Sequence, residues 1–174
     1  YYALTGRGLF EAREFEDALS TLNDGLHYAE STEQLEKLYQ DLGTVYYFKG
    51  YKLQPNGLAK YDLDAVRNSV ESYEMALRFG EDPYLYGNLG WGYYLLGDYS
   101  SSIESSLHSL ALKPGLNYAR MNLGIAQLKK GDYELAFSAY AALKQHSPGL
   151  DEYEGGIRDL QELQQEFPGL YPFS

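Results

Sequence analysis

Three short signatures recur in this chain at one spacing. Asn88-Leu89-Gly90 returns as Asn122-Leu123-Gly124, Gly97-Asp98-Tyr99 as Gly131-Asp132-Tyr133, and Pro114-Gly115-Leu116 as Pro148-Gly149-Leu150, each 34 residues on. A fixed period of this length means stacked copies of one small unit, because a single unit cannot bury its own apolar face. Within a unit the pattern is two helices. Tyr86, Leu89, Gly90 and Tyr93 recur at helical spacing and stop at Gly97, a natural helix end. Asp98 is placed to cap a second helix whose apolar stripe is Ile103, Leu107 and Leu110, closed by Pro114-Gly115. Leu123, Gly124 and Leu128, then Asp132, Tyr133, Ala136, Phe137 and Tyr140, repeat the scheme.

Two further copies lie upstream. Tyr39-x2-Leu42-Gly43-x2-Tyr46 matches Tyr86-x2-Leu89-Gly90-x2-Tyr93, and Ser69-x3-Tyr73 with Ala76 and Leu77 supplies its second helix. Tyr2, Gly6 and Leu9, then Ala18-x3-Leu22 and Leu26, make the first. A 34-residue helix-turn-helix unit of this kind resembles the tetratricopeptide repeat, whose pattern is W-x2-L-G-x2-Y, then A-x3-F, then P. The resemblance covers residues 1–150 and implies an all-α, right-handed α-solenoid forming one domain. The units are expected at about 1–35, 36–82, 83–116 and 117–150.

The departures from the period are informative. The unit glycines fall at Gly6, Gly43, Gly90 and Gly124, so the second interval is much too long. The excess is read as an insertion at 51–65, turning at Pro55-Asn56-Gly57 and expected to extend both flanking helices. The aromatic slot of the third unit's second helix holds Ser106, which means a layer either closely packed or under-filled. After Leu150, Asp151 with Glu154 three residues on reads as a capping box, and Tyr153, Ile157, Leu160, Leu163 and Phe167 recur at helical spacing. A capping helix at about 151–167 and an irregular tail at 168–174 are expected, since a solenoid needs a polar outer face to end it.

Composition narrows function. With 14 Lys+Arg against 25 Asp+Glu the net charge is −11, which argues against nucleic acid and direct membrane insertion as partners. The chain contains no cysteine, so thiolate chemistry and cysteine-ligated zinc are excluded and either redox compartment is suitable. Without a signal peptide the cytoplasm is the first expectation. The opening at Tyr1 without methionine fits a piece of a longer chain, so a domain outside the cytoplasm is the alternative. His27, His108 and His146 share no helical metal spacing. Gly87, Gly90 and Gly92 lie inside a periodic helix rather than after a strand, so they make no phosphate loop. Glu11, Glu14, Glu16 and Asp17 suit a solvated helix start. No enzyme, metal or cofactor is expected.

A surface remains, and 19 tyrosines make it unusually aromatic. In the family that the units resemble, first helices line a concave groove for ligands. Carrying its slots over implies Gln40, Asp41, Thr44, Tyr47 and Phe48 from the second unit. The third supplies Tyr84, Gly87, Asn88, Trp91, Tyr94 and Leu95, and the fourth Tyr118, Met121, Asn122, Ile125 and Leu128. Asn88 and Asn122 hold the slot from which an amide grips a ligand's backbone. The basic slots that some members use to hold a carboxylate contain Ala3, Gln40 and Tyr118 here, although Arg7 remains a candidate contact. The expectation is an interaction module for an apolar or aromatic segment, or an amphipathic helix, of a protein partner. Homo-oligomerisation, with units stacking chain to chain, is the alternative.

Overall fold

The structure is a computed structural model that describes residues 1–146. These form an all-α solenoid with one small hairpin. The helices pair in sequence: α1 (Tyr2–Glu11) with α2 (Phe15–His27), α3 (Thr32–Gly50) with α4 (Leu63–Leu77), α5 (Pro83–Leu95) with α6 (Tyr99–Leu112), and α7 (Asn117–Lys130) with α8 (Tyr133–His146). The expected capping helix and tail lie outside the described residues.

Local chemistry sets the boundaries. Asp62, Asp82 and Asp98 accept backbone N–H bonds at the starts of α4, α5 and α6, satisfying donors that have no partner inside the helix. Ser31 caps α3 through the Gln34 N–H, and the Gln34 side chain returns the bond to the Glu30 N–H. The turn after α5 needs a left-handed residue and has Gly97 (φ +81°), as the turn after α7 has Gly131 (φ +89°). At the equivalent turn after α1 that conformation falls to Arg13 (φ +63°), a strained choice for a residue with a Cβ.

Each pair closes on one glycine. A Cβ on Gly6 would meet the Leu22 side chain at 2.6 Å, one on Gly43 the Tyr73 ring at 2.6 Å, and one on Gly124 the Tyr140 ring at 2.7 Å. On Gly90 it would collide with Ser106 Oγ. The slot that elsewhere holds a large side chain is therefore closed by a nearer approach of α6, and the layer is closely packed. Ser102 Oγ donates to Gly90 O at 2.6 Å and Ser109 Oγ to Pro83 O at 2.7 Å, so serines fasten α6 directly to the α5 backbone. Ser69 Oγ makes the same bond to Gly43 O at 2.7 Å. The apolar core runs through Leu22, Leu38, Leu42 and Val45 in one layer and Val70, Tyr73, Leu85 and Leu89 in the next.

The insertion corrects an expectation. Residues 51–61 do not lengthen α3 but form an antiparallel hairpin, β1 (Tyr51–Leu53) with β2 (Ala59–Tyr61), pairing Tyr51 with Tyr61, Lys52 with Lys60 and Leu53 with Ala59. Of the inserted residues only Leu63, Asp64 and Ala65 belong to a helix, the first turn of α4. Pro55-Asn56-Gly57 is the turn, with Gly57 at φ +80°. Apolar residues alternate with lysines on both sides of it, and period two is a strand's period.

Candidate functional site

Residues of the first helices α3, α5 and α7 line a common cavity of about 410 Å³. Thr44, Tyr47, Phe48, Asn88, Trp91, Tyr118, Met121, Asn122 and Ile125 line it, as the groove reading expects. Val66, Ser69 and Tyr73 from α4 and Gly92 from α5 join them. Among the described residues no charged side chain reaches this lining.

The rings are organised around Trp91. Its indole N–H donates to the Tyr47 hydroxyl at 3.2 Å, and that hydroxyl stands 3.4 Å from the Tyr61 hydroxyl on β2. Tyr94 stacks on the indole at 5.2 Å, and Tyr61 meets it edge-on at 6.2 Å. Phe48 packs on Tyr47 at 5.3 Å and on Phe10 of α1 at 5.4 Å, which carries the aromatic band into the first unit. Burial, then the hydrogen bond with Tyr47, pushes the Tyr61 phenol well above its usual range. Tyr118 is pushed up to about 12, by burial first and then by the charge of Asp82. Both phenols are neutral at physiological pH and act only as hydrogen-bonding rings.

Most of the polar groups around the cavity are committed to the protein. Thr44 Oγ1 donates to Gln40 O at 3.0 Å and lies 3.2 Å from the Tyr73 hydroxyl. Asn122 Nδ2 donates to Gly87 O at 3.0 Å and the residue is only 6% exposed. This corrects the expectation that Asn122 and Asn88 are equivalent: the Asn122 amide nitrogen already holds backbone, but that of the preceding unit. Asn88 is exposed, its side chain contacting the Tyr73 hydroxyl. Gly87 is a second correction. The Tyr118 ring covers it, with a Cβ there meeting that ring at 2.5 Å, so it is buried rather than open to the groove.

The other expected residues lie apart from this cavity. Gln40 and Asp41 line a neighbouring hollow of about 350 Å³ with Arg7, Phe10, Lys37 and Thr44, and Thr44 is shared between the two. Arg7 Nε donates to both Asp41 oxygens at 3.0 and 3.2 Å, and Lys37 Nζ adds a contact at 3.3 Å. Arg7 is thus engaged within the protein. Burial raises the Asp41 pKa, outweighing the hydrogen bond and charge of Arg7. Tyr84 is exposed beside Lys113, which sits over its ring, and Leu95 is half-buried at the end of α5. The α4 residues escape a reading that carries over first-helix slots alone. Ser69-x3-Tyr73 was the available signal, since a tyrosine closing on Gly43 extends its hydroxyl to the groove floor.

No family model matches the sequence, and no curated protein matches it. Solved structures do. YrrB, a TPR protein with an unusual peptide-binding site, superposes with a TM-score of 0.69 at 20% identity over 97% of this chain and 86% of its own. One MamA structure has a TM-score of 0.66 at 18% identity over 99% of this chain and 78% of its own. Another has 0.68 at 18%, over 92% and 94%. The fold is that of the tetratricopeptide-repeat proteins. Among the described residues no helix is long and apolar enough to cross a membrane.

Proposed function

We infer that this chain is a non-catalytic interaction module whose concave face takes an apolar or aromatic segment of a protein partner, as a scaffold or adaptor does. The observation that carries this reading is the uncharged cavity of about 410 Å³ between α3, α5 and α7. It has room for a large side chain, its walls are mainly aromatic and aliphatic, and Asn88 stands exposed at its edge. An apolar anchor with one amide beside it suits a peptide, whose side chain needs burial and whose backbone needs a partner. That YrrB is a TPR protein with a peptide-binding site supports the same use of the fold. An acidic tail suits this lining poorly, because the nearby Arg7 and Lys37 are engaged with Asp41.

The test is a twelve-residue phage-displayed library selected on the immobilised protein, followed by affinities for one synthetic winner. Trp91→Ala is expected to cost about 2 kcal/mol, roughly thirtyfold, with helicity retained. Asn88→Ala is expected to cost about 1 kcal/mol of affinity. Asn122→Ala acts on stability instead, because it leaves Gly87 O without its buried donor. Added salt changes the affinity little, since the contacts are apolar. Unchanged affinity in Trp91→Ala with an intact fold moves the site off this face.

One surface favours a second reading. Tyr1, Leu4 and Tyr28 are largely exposed around α1, which suits contact with another copy of the chain. Size that grows with concentration, and is abolished by Leu4→Glu, would establish it.

A further inference from the structure

The hairpin is absent from an ordinary 34-residue unit, and its contacts concentrate where the cavity has its anchor. Tyr61 is the last residue of β2. Its ring lies 5.9 Å from Tyr47, 5.6 Å from Tyr51 and 6.2 Å from Trp91, so it joins both strands to the indole. Strand alternation places Tyr51, Leu53, Ala59 and Tyr61 on one face and Lys52 and Lys60 on the other. Tyr61 on Trp91 turns the first of these faces towards the groove, while the lysines face away and stay hydrated.

One donor role in the cluster follows from the inventory of groups. An indole N–H only donates, so the Tyr47 oxygen accepts it, while either hydroxyl of the Tyr47–Tyr61 pair can donate to the other. At 3.4 Å that second link is long for a pair of hydroxyls, so the edge-on ring contact carries more of the coupling. Tyr94 stacks on the indole, Tyr47 holds its nitrogen and Tyr61 abuts it edge-on. Together they leave the Trp91 side chain one orientation.

We propose that the inserted hairpin is a part of the binding site and that Tyr61 is its positioning residue, holding Trp91 in the orientation that a bound apolar segment meets. This rests on the groove reading above. A pre-set anchor spares the complex the ordering of a large side chain on binding, which is where the affinity gain comes from.

Trp91 is the only tryptophan, so its emission reports this geometry in the full chain without any partner. In Tyr61→Ala the emission maximum shifts to the red and acrylamide quenches it more strongly, with helicity unchanged. The same variant binds the selected twelve-residue peptide about tenfold more weakly, the scale of one lost aromatic edge contact. Tyr61→Phe, which keeps the ring and loses only the long hydroxyl link, restores most of both. Wild-type emission in Tyr61→Ala overturns the proposal, and so does a shifted emission with unchanged affinity, which makes Tyr61 a packing residue only. Failure of the groove reading looks different: there Trp91→Ala itself leaves peptide affinity intact.

Discussion

The contact of α5 with α6 at Gly90 rests on a single oxygen. A Cβ on Gly90 would collide with Ser106 Oγ, while the next atoms, Ser102 O at 3.4 Å and Ser106 N at 3.5 Å, are at or near ordinary contact. Gly90→Ala therefore sets two effects against each other. Alanine in a helix interior gains about 1 kcal/mol over glycine. Forcing a methyl against a packed neighbour costs about 1–3 kcal/mol. Ser106 is fully buried and its hydroxyl has no hydrogen-bond partner among the described residues, so it has nothing to lose by removal. Ser106→Ala is expected to be neutral or stabilising, because an unpaired buried hydroxyl costs about 1–3 kcal/mol. With that oxygen gone, Gly90→Ala meets no obstacle and keeps its propensity gain.

The expected order of stability is Gly90→Ala, wild type, Ser106→Ala, and the double variant highest, about 1 kcal/mol above Ser106→Ala. A double-mutant cycle by urea unfolding, followed by circular dichroism, is expected to show a coupling of about 1–3 kcal/mol. In thermal scans each kcal/mol corresponds to about 2–4 °C for a chain of this size. Gly90→Leu, with more bulk than one oxygen's space accepts, destabilises in both backgrounds. Additive effects, or a stabilised Gly90→Ala single variant, would refute the reasoning, because the serine would then turn aside at no cost.

Three further outcomes follow from particular residues. The folded-state pKa of Asp41 is raised, chiefly by burial, so between the ordinary carboxylate value of about 3.9 and the raised one the folded chain binds more protons than the unfolded one. Its contribution is full below the ordinary value and is lost as pH rises through the raised one. Unfolding free energies at pH 7 and pH 4 should therefore shift in favour of wild type over Asp41→Asn at the lower pH, and an opposite slope would sink the assignment. Proteinase K should cut first near Asn56, at the exposed turn of the hairpin, and leave two fragments that stay together through α3 and α4; first cleavage at Gly97 or Gly131 would count against it. Arg13→Gly should raise the thermal midpoint, since a left-handed residue with a Cβ costs roughly 1–2 kcal/mol and glycine's extra unfolded freedom offsets only part of that.

How much of this was legible beforehand depends on whether a feature repeats within one unit or spans two. The glycine of each unit and the side chain that closes on it belong to the same hairpin, so Gly43 with Tyr73 and Gly124 with Tyr140 can be found from the 34-residue pattern. Ser106 marks an unusual layer in the same way, and whether it is a close approach or a void depends on how near α6 comes to α5. Contacts between units are different. Asn88 and Asn122 hold equivalent slots, yet Asn122 Nδ2 reaches back to Gly87 O while Asn88 stays exposed. The difference lies in their neighbours. Tyr118 covers Gly87 and its hydroxyl donates to Tyr84 O, which brings the backbones of α5 and α7 into register for that bond. A period read from one chain position carries no information about how far successive layers overlap.

The hairpin departs from the helical expectation for a reason of period rather than of composition. Tyr51, Leu53, Leu58 and Tyr61 are apolar enough to prolong two amphipathic helices, and a helix interrupted by Pro55-Asn56-Gly57 accounts for them. Alternation decides the matter instead: Tyr51-Lys52-Leu53 and Ala59-Lys60-Tyr61 each change face at every step, and a helix would have scattered the two lysines around its circumference. As strands they become one wall, with Lys52 beside Lys60 on its outer side. Like charges directly opposite are unfavourable in a sheet, and an isolated two-stranded hairpin is marginal in water. Something beyond its own ladder must hold this one. Its base does so on both sides: the Asp62 N–H bonds to Gly50 O at 2.9 Å, and Tyr61 docks among the rings of Tyr47 and Trp91. The hairpin thus depends for its stability on the same indole that lines the cavity, so removing Trp91 should loosen the strands while the helices persist.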